Sequence, residues 1–199
     1  QLKGKYAIGH VRYSTSGGSL EENIQPLFAN LAAGGFACAH NGNLTNTEFL
    51  RKQLIKEGAI FQSSSDTEII LQLVAKSKKK NTIKKIIDAL FRIKGAYSLV
   101  VLTKDKMFGI KDPFGIRPLV LGKIGRSFVL SSETCALDMI GAKYIRDIDN
   151  GEILEISKTG LNSFRPFPKV NERPCIFESI YFSRPDSKIK GKTVYMHRK

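Results

Sequence analysis

The spacing of apolar residues predicts helices in the first half of the chain. Thr45 and Glu48 form a capping-box pattern, in which the side chains of both residues satisfy free backbone N–H groups. Apolar residues at helical spacing follow, and Gly58 ends the predicted helix. A second capping-box pattern, Ser65 with Glu68, leads into another run with helical period. Each pattern therefore predicts both the start and the face of a helix.

A third helix is predicted over residues 82–94, with Gly95 as its stop signal. Shorter apolar runs, separated by turn residues, predict strands. These runs cover residues 6–13 and 36–40 before the first helix, and residues 96–103, 107–111, 119–124, 128–132, 144–148 and 152–156 after Gly95. Strands joined by such short links favour antiparallel pairing, because parallel neighbours need a long crossover. Helices and strands grouped in this way predict an α+β fold.

Charge and cysteine content narrow the classes of function. The 199 residues include 32 Lys and Arg against 18 Asp and Glu, a net charge of +14. The lysines are densest over residues 76–85, where no aromatic residue is present to stack on a base. We interpret them as a solvated helix end and connector, and a basic, non-catalytic binding module is the alternative. The three cysteines lie far apart, which favours a reducing, cytoplasmic compartment.

Four polar clusters coincide with the ends of predicted strands or the starts of helices, where functional groups are common. They occupy residues 9–15, 39–44, 63–68 and 112–118. Each has an ordinary structural interpretation when it is considered alone. Asn41 and Gly42 are typical of a tight turn, Ser65 of a helix cap, and His10 and His40 of satisfied interior histidines.

In their order along the chain, three of these clusters resemble the glutamine-site motifs of the class II, N-terminal-nucleophile glutamine amidotransferases. The matching segments are residues 9–13 (Gly-His-Val-Arg-Tyr), 39–44 (Ala-His-Asn-Gly-Asn-Leu) and 64–68 (Ser-Ser-Asp-Thr-Glu). Within that class, residues 112–119, 132–136 and 180–187 are similar to segments of the amidophosphoribosyltransferases. The resemblance implies an αββα sandwich with antiparallel sheets. The glutaminase domain of another class II amidotransferase is the alternative.

The resemblance also implies roles for individual residues. Arg12 would hold the α-carboxylate of glutamine, Asp66 its α-ammonium, and Thr15 would add a hydroxyl contact. The Asn41 amide and the Gly42 N–H would donate to the oxyanion of the tetrahedral intermediate. Cys175 matches the first iron–sulfur ligand of some members of the family, whose other ligands would lie beyond residue 199.

For the complete enzyme, the resemblance implies glutamine and phosphoribosyl diphosphate as substrates and 5-phosphoribosylamine as the product, the first step of purine synthesis. The family nucleophile is an N-terminal cysteine, and nothing in this chain corresponds to it. We therefore expect a fragment that is inactive alone. Residues 1–173 would belong to the glutaminase domain, and residues 174–199 to a linker and the beginning of a phosphoribosyltransferase domain that uses Mg²⁺. We expect a homo-oligomer in the cytoplasm, without nucleic-acid or membrane partners.

Overall fold

The computed structural model describes residues 4–11 and 20–199. The chain divides into two compact units, Gln1–Phe108 and Gly109–Lys199. Both contain helices and antiparallel strand pairs, so the predicted α+β class is confirmed. In the described part of the chain, no helix is long and apolar enough to cross a membrane.

The first unit contains a sheet whose strands pair antiparallel in the order β1-β2-β3. The strands are β1 (Leu27–Leu31), β2 (Gly34–Leu44) and β3 (Gly95–Thr103). Between β2 and β3 the chain forms α1 (Thr47–Lys56), α2 (Asp66–Lys76) and α3 (Thr82–Leu90). Helix α2 is buried along most of its length and contacts the central strand β2. The start of α2 therefore lies near the end of β2.

The second unit begins within β4 (Met107–Lys111), which crosses the division between the units. It contains an antiparallel sheet of order β6-β5-β7 and the hairpin β8-β9. These strands are β5 (Val120–Ile124), β6 (Ser127–Ser131), β7 (Lys143–Asp147), β8 (Ile153–Ser157) and β9 (Gly160–Phe164). The remaining elements are α4 (Thr134–Met139), a π-helical turn (Glu178–Phe182), β10 (Lys188–Ile189), β11 (Lys192–Thr193) and α5 (Val194–Arg198).

The predicted capping boxes form only in part. Ser65 caps α2 as predicted, since its hydroxyl accepts the Thr67 N–H at 3.3 Å. Its box partner Glu68 instead accepts the backbone N–H groups of Gln62 and Ser63 at 2.8 and 2.7 Å. The carboxylate therefore stabilises the loop before the helix and leaves the cap to the serine alone.

The capping box predicted at Thr45 is wrong. The residue at the cap position of α1 is Asn46, and its side chain makes no capping hydrogen bond. The Asn46 amide instead donates to the Arg92 carbonyl and accepts the Lys94 N–H, both at 2.9 Å. Because these partners lie 46 and 48 positions away, a tertiary clamp replaces the local cap.

The strand predicted over residues 6–13 is not formed in its described part, residues 6–11. At the nearby strand β2, the backbone of His40 is instead bonded by side chains. Its N–H donates to Gln25 Oε1 at 2.8 Å, and its carbonyl lies 3.1 Å from His10 Nε2. These side-chain bonds occupy both backbone groups of His40, the groups that a further strand would need at that position.

The strands predicted after Gly95 all form, with shifts of at most one residue at their ends. The sequence patterns do not predict strands β1, β9, β10 and β11 or helices α4 and α5. The predicted domain boundary at residues 173/174 stays a prediction. Around it, the N–H groups of Arg173 and Cys175 donate to the carbonyls of Phe114 and Ile116, so this part of the chain packs on the second unit.

Candidate functional site

The end of β2 and the start of α2 bring two of the predicted site motifs together. Asp66 Oδ2 accepts the Leu44 N–H at 2.9 Å, and Asp66 Oδ1 lies 3.5 Å from His40 Nδ1. The aspartate thus contacts both ends of the five-residue segment that carries Asn41 and Gly42. Asn41 is partly buried and lies opposite Ser98 of β3.

Gly42 occupies a position that admits no side chain. Its φ of 152° is rarely adopted by L-residues, and it lies opposite Tyr97 of β3. A Cβ atom added there would be 2.1 Å from the Ala96 carbonyl oxygen and 2.7 Å from His40 Nε2. The glycine therefore permits a close approach of β3 and of the His40 ring. This steric requirement goes beyond the tight turn that its sequence context is typical of.

Asp66 is a buried carboxylate that stays ionised. Its side chain is 7% exposed, and burial by itself would raise its pKa. The hydrogen bond and charge of His40, together with the N–H groups of Leu44 and Thr67, outweigh burial and hold the pKa of Asp66 below its ordinary value of 3.8. The site therefore contains a fixed negative charge at neutral pH.

The loop before α2 holds Asp66 in place through side chains that the sequence analysis did not single out. Arg51 donates to the carbonyls of Ser63 and Ser65 at 3.0 and 3.2 Å, and its guanidinium lies over the Phe61 ring. The buried Asn23 accepts the Ser64 N–H at 3.0 Å. No local sequence pattern marks Arg51 or Asn23, because their partners lie 12 to 41 positions away.

The fourth polar cluster has a structural role in the second unit. Asp112 is fully buried, and its carboxylate accepts the N–H groups of Phe114 and Ile116. Gly115, with a φ of 66°, closes the same turn against the Asn150 side chain. The Asp-Pro-Phe-Gly sequence therefore forms a turn whose backbone is held by the Asp112 carboxylate.

Arg12 and Thr15 lie outside the described residues. His10 lies two positions before Arg12 in the sequence and is described. Its Nε2 lies 3.1 Å from the His40 carbonyl oxygen, so the segment that leads to Arg12 contacts this site.

The cysteines differ in burial and acidity. Burial, with a smaller effect of the Asp66 charge, raises the pKa of the fully buried Cys38 to about 12. Burial also raises the pKa of Cys135. Cys175 is half-buried. Residues 4–11 and 20–199 contain no group of three or more His, Cys, Asp or Glu side chains that could hold a metal, so Cys175 has no ligand set there. Its iron–sulfur role stays a prediction.

A family model described as a glutamine amidotransferase domain matches residues 10–139. The chain belongs to the glutamine amidotransferase family. Among curated proteins, it is 48% identical over its full length to the amidophosphoribosyltransferase of Rhizobium etli and 46% identical to that of Bacillus subtilis. It covers 41% and 42% of those proteins, about two fifths of their length.

Solved structures agree with this assignment. The glutamine phosphoribosylpyrophosphate (PRPP) amidotransferase from B. subtilis, solved with ADP and GMP, matches 95% of this glutamine amidotransferase chain with a TM-score of 0.90 and 43% identity. The match covers 41% of the B. subtilis chain. This likeness confirms the predicted N-terminal-nucleophile type of α+β fold.

Proposed function

We propose that this chain is the glutamine-binding part of an amidophosphoribosyltransferase. The complete enzyme releases ammonia from glutamine and transfers it to phosphoribosyl diphosphate, forming 5-phosphoribosylamine in the first step of purine synthesis. The observation that carries the proposal is the buried, ionised Asp66 in contact with both ends of the segment that carries Asn41 and Gly42. The identity of 45–48% to eight amidophosphoribosyltransferases supports the choice of acceptor chemistry.

The two charged ends of glutamine need opposite partners. Arg12 binds the α-carboxylate through bidentate hydrogen bonds, and Thr15 adds a hydroxyl contact. Asp66 accepts the α-ammonium, while its Oδ2 also accepts the Leu44 N–H at 2.9 Å. A carboxylate oxygen accepts more than one hydrogen bond, so the His40 contact at 3.5 Å leaves Oδ1 capacity for a substrate N–H.

The reacting carbonyl is stabilised by Asn41 and Gly42. The Asn41 amide and the Gly42 N–H donate to the oxygen that becomes negative in the tetrahedral intermediate. Loss of one such donor typically lowers turnover by roughly 10²–10³-fold.

The nucleophile of the complete enzyme is an N-terminal cysteine whose α-amino group acts as the base. Cys38 cannot replace it, because a buried thiol with a pKa of about 12 supplies almost no thiolate at neutral pH. Cys135 is also buried with a raised pKa. Cys38, Cys135 and Cys175 are all internal residues without the free α-amino group that serves as the base, and we infer that this chain alone does not hydrolyse glutamine.

We further propose that the enzyme is a cytoplasmic homo-oligomer whose phosphoribosyltransferase domain uses Mg²⁺. Cys175 would serve as one ligand of an iron–sulfur cluster completed by cysteines of that domain. Residues 4–11 and 20–199 contain no side-chain group that could hold either metal, so no step of the reaction is assigned to a metal.

The proposed function is tested in the complete enzyme that carries this chain by measuring the release of pyrophosphate from phosphoribosyl diphosphate. Glutamine and ammonium salts serve as alternative nitrogen donors. Asp66→Asn should raise the KM for glutamine and leave the ammonia-dependent rate unchanged. The control is Glu48→Gln, which removes an exposed pair with Lys52 and should change neither activity. Equal loss of both activities in Asp66→Asn, or no loss of either, would contradict the assignment of Asp66.

A further inference from the structure

His40 lies at the centre of the site, although the proposed function gives it no part in binding or chemistry. Its side chain is 1% exposed. Nδ1 lies 3.5 Å from Asp66 Oδ1 and 3.3 Å from Thr67 Oγ1, while Nε2 lies 3.3 Å from the Ala96 carbonyl oxygen. The imidazole therefore joins the start of α2 to the start of β3.

The partners of the ring determine which of its nitrogens carry protons. The Ala96 carbonyl only accepts hydrogen bonds, so Nε2 must be an N–H. On the other side, Nδ1 faces the Thr67 hydroxyl, which can donate or accept, and the Asp66 carboxylate, which only accepts and is satisfied by an N–H at Nδ1.

The backbone of His40 is held as firmly as its ring. The N–H donates to Gln25 Oε1 at 2.8 Å, and the carbonyl lies 3.1 Å from His10 Nε2. The ring also packs where a side chain at position 42 would stand, with Nε2 2.7 Å from the position of a Gly42 Cβ. One fixed residue thus contacts both the ammonium-binding carboxylate and the glycine of the oxyanion pair.

We propose that His40 is a positioning residue that orients Asp66 for the α-ammonium of glutamine and so makes the site selective for amides that carry a free α-amino group. The inference rests on the proposed function, because it assumes that Asp66 binds the ammonium. Without the His40 N–H, the carboxylate is left with the N–H groups of Leu44 and Thr67. With one partner fewer, the carboxylate is oriented less firmly towards the substrate.

The imidazole can be replaced by two amides that each preserve one of its hydrogen bonds. The His40→Asn amide places a donor near the position of Nδ1 and keeps the contact with Asp66. The longer His40→Gln side chain reaches the position of Nε2 and keeps the contact with Ala96. A merely structural role would make the two variants similar, whereas positioning of Asp66 predicts that Asn preserves glutamine binding and Gln does not.

The test uses the complete enzyme with glutamine and ammonia as donors, and with 4-carbamoylbutanoate, which is glutamine without its α-amino group, as a competitive inhibitor. His40→Gln should raise the KM for glutamine roughly 10–100-fold, the effect of losing one hydrogen bond to a charged group. The inhibition constant of 4-carbamoylbutanoate and the ammonia-dependent rate should stay unchanged. In His40→Asn the KM for glutamine should stay within about threefold of wild type, since that hydrogen bond is kept.

Equal weakening of glutamine and 4-carbamoylbutanoate binding, or equal effects of the two variants, would overturn the proposal. If Asp66→Asn raises the KM for glutamine but His40→Gln does not, this inference fails and the proposed function stands. If Asp66→Asn leaves that KM unchanged, the assumption about Asp66 fails first.

A measurement on unaltered enzyme covers the case in which both variants misfold. The ¹⁵N signals of selectively labelled histidine should show a proton on Nδ1 of His40, the nitrogen that faces Asp66, and an Nδ1 without a proton would overturn the inference.

Discussion

Replacement of Gly42 by alanine tests the geometry of the site most directly. The new methyl group would lie 2.1 Å from the Ala96 carbonyl oxygen and 2.7 Å from His40 Nε2, both much closer than van der Waals contact. The φ of 152° adds a conformational cost, since L-residues rarely adopt it. Such a backbone costs about 1–3 kcal/mol, and overpacking costs about 1–3 kcal/mol more. The free energy of unfolding should therefore fall by about 2–6 kcal/mol.

Gly34 supplies a matched control at the beginning of the same strand. Its φ is 108°, but no atom lies within 4 Å of an added Cβ, so Gly34→Ala pays the conformational cost without the steric one. Urea unfolding of both variants, followed by circular dichroism, should show the larger loss for Gly42→Ala. Equal losses would refute the steric reasoning, and a wild-type midpoint for Gly42→Ala would refute the described approach of β3 and His40.

Four further outcomes are expected. The folded-state pKa of Asp66 is depressed, so its contribution to stability is complete above the ordinary value of 3.8 and is lost as the pH falls through the lower folded value. The midpoint of urea unfolding, measured from pH 7 to pH 2, should therefore fall less steeply for Asp66→Asn than for the wild type. Parallel curves of midpoint against pH would contradict an ionised Asp66. In the native 199-residue chain, a thiol reagent at pH 8 should modify Cys175 before Cys38 or Cys135. The same chain should release ammonia from glutamine no faster than buffer. Ammonia release that is abolished by alkylation of a buried cysteine would contradict this second expectation. Asn46→Ala should lower the free energy of unfolding by about 1–3 kcal/mol, because it leaves the Arg92 carbonyl and the Lys94 N–H without their side-chain partner. A loss within the error of urea unfolding would show that water replaces these two hydrogen bonds.

Local sequence patterns predicted the elements that depend on neighbouring residues. The three helices of the first unit, the strands after Gly95 and the Ser65 cap all follow from signals spanning three or four positions. The motif resemblance predicts Asp66 as part of one site with Asn41 and Gly42, and in the structure Asp66 contacts Leu44 and His40, the two ends of the segment that carries them.

The tertiary structure alone decided which polar side chains serve the site and which serve the fold. Asn46 reads locally as part of a capping box, but packing offers it partners 46 and 48 positions away. From the sequence, His40 is typical of an interior histidine. Only the fold shows that it joins Asp66 and Thr67 to Ala96, because Thr67 and Ala96 lie 27 and 56 positions away in the chain. A local pattern fixes backbone conformation through atoms a few residues apart, whereas a buried polar group takes its partner from whatever the fold brings within about 3 Å.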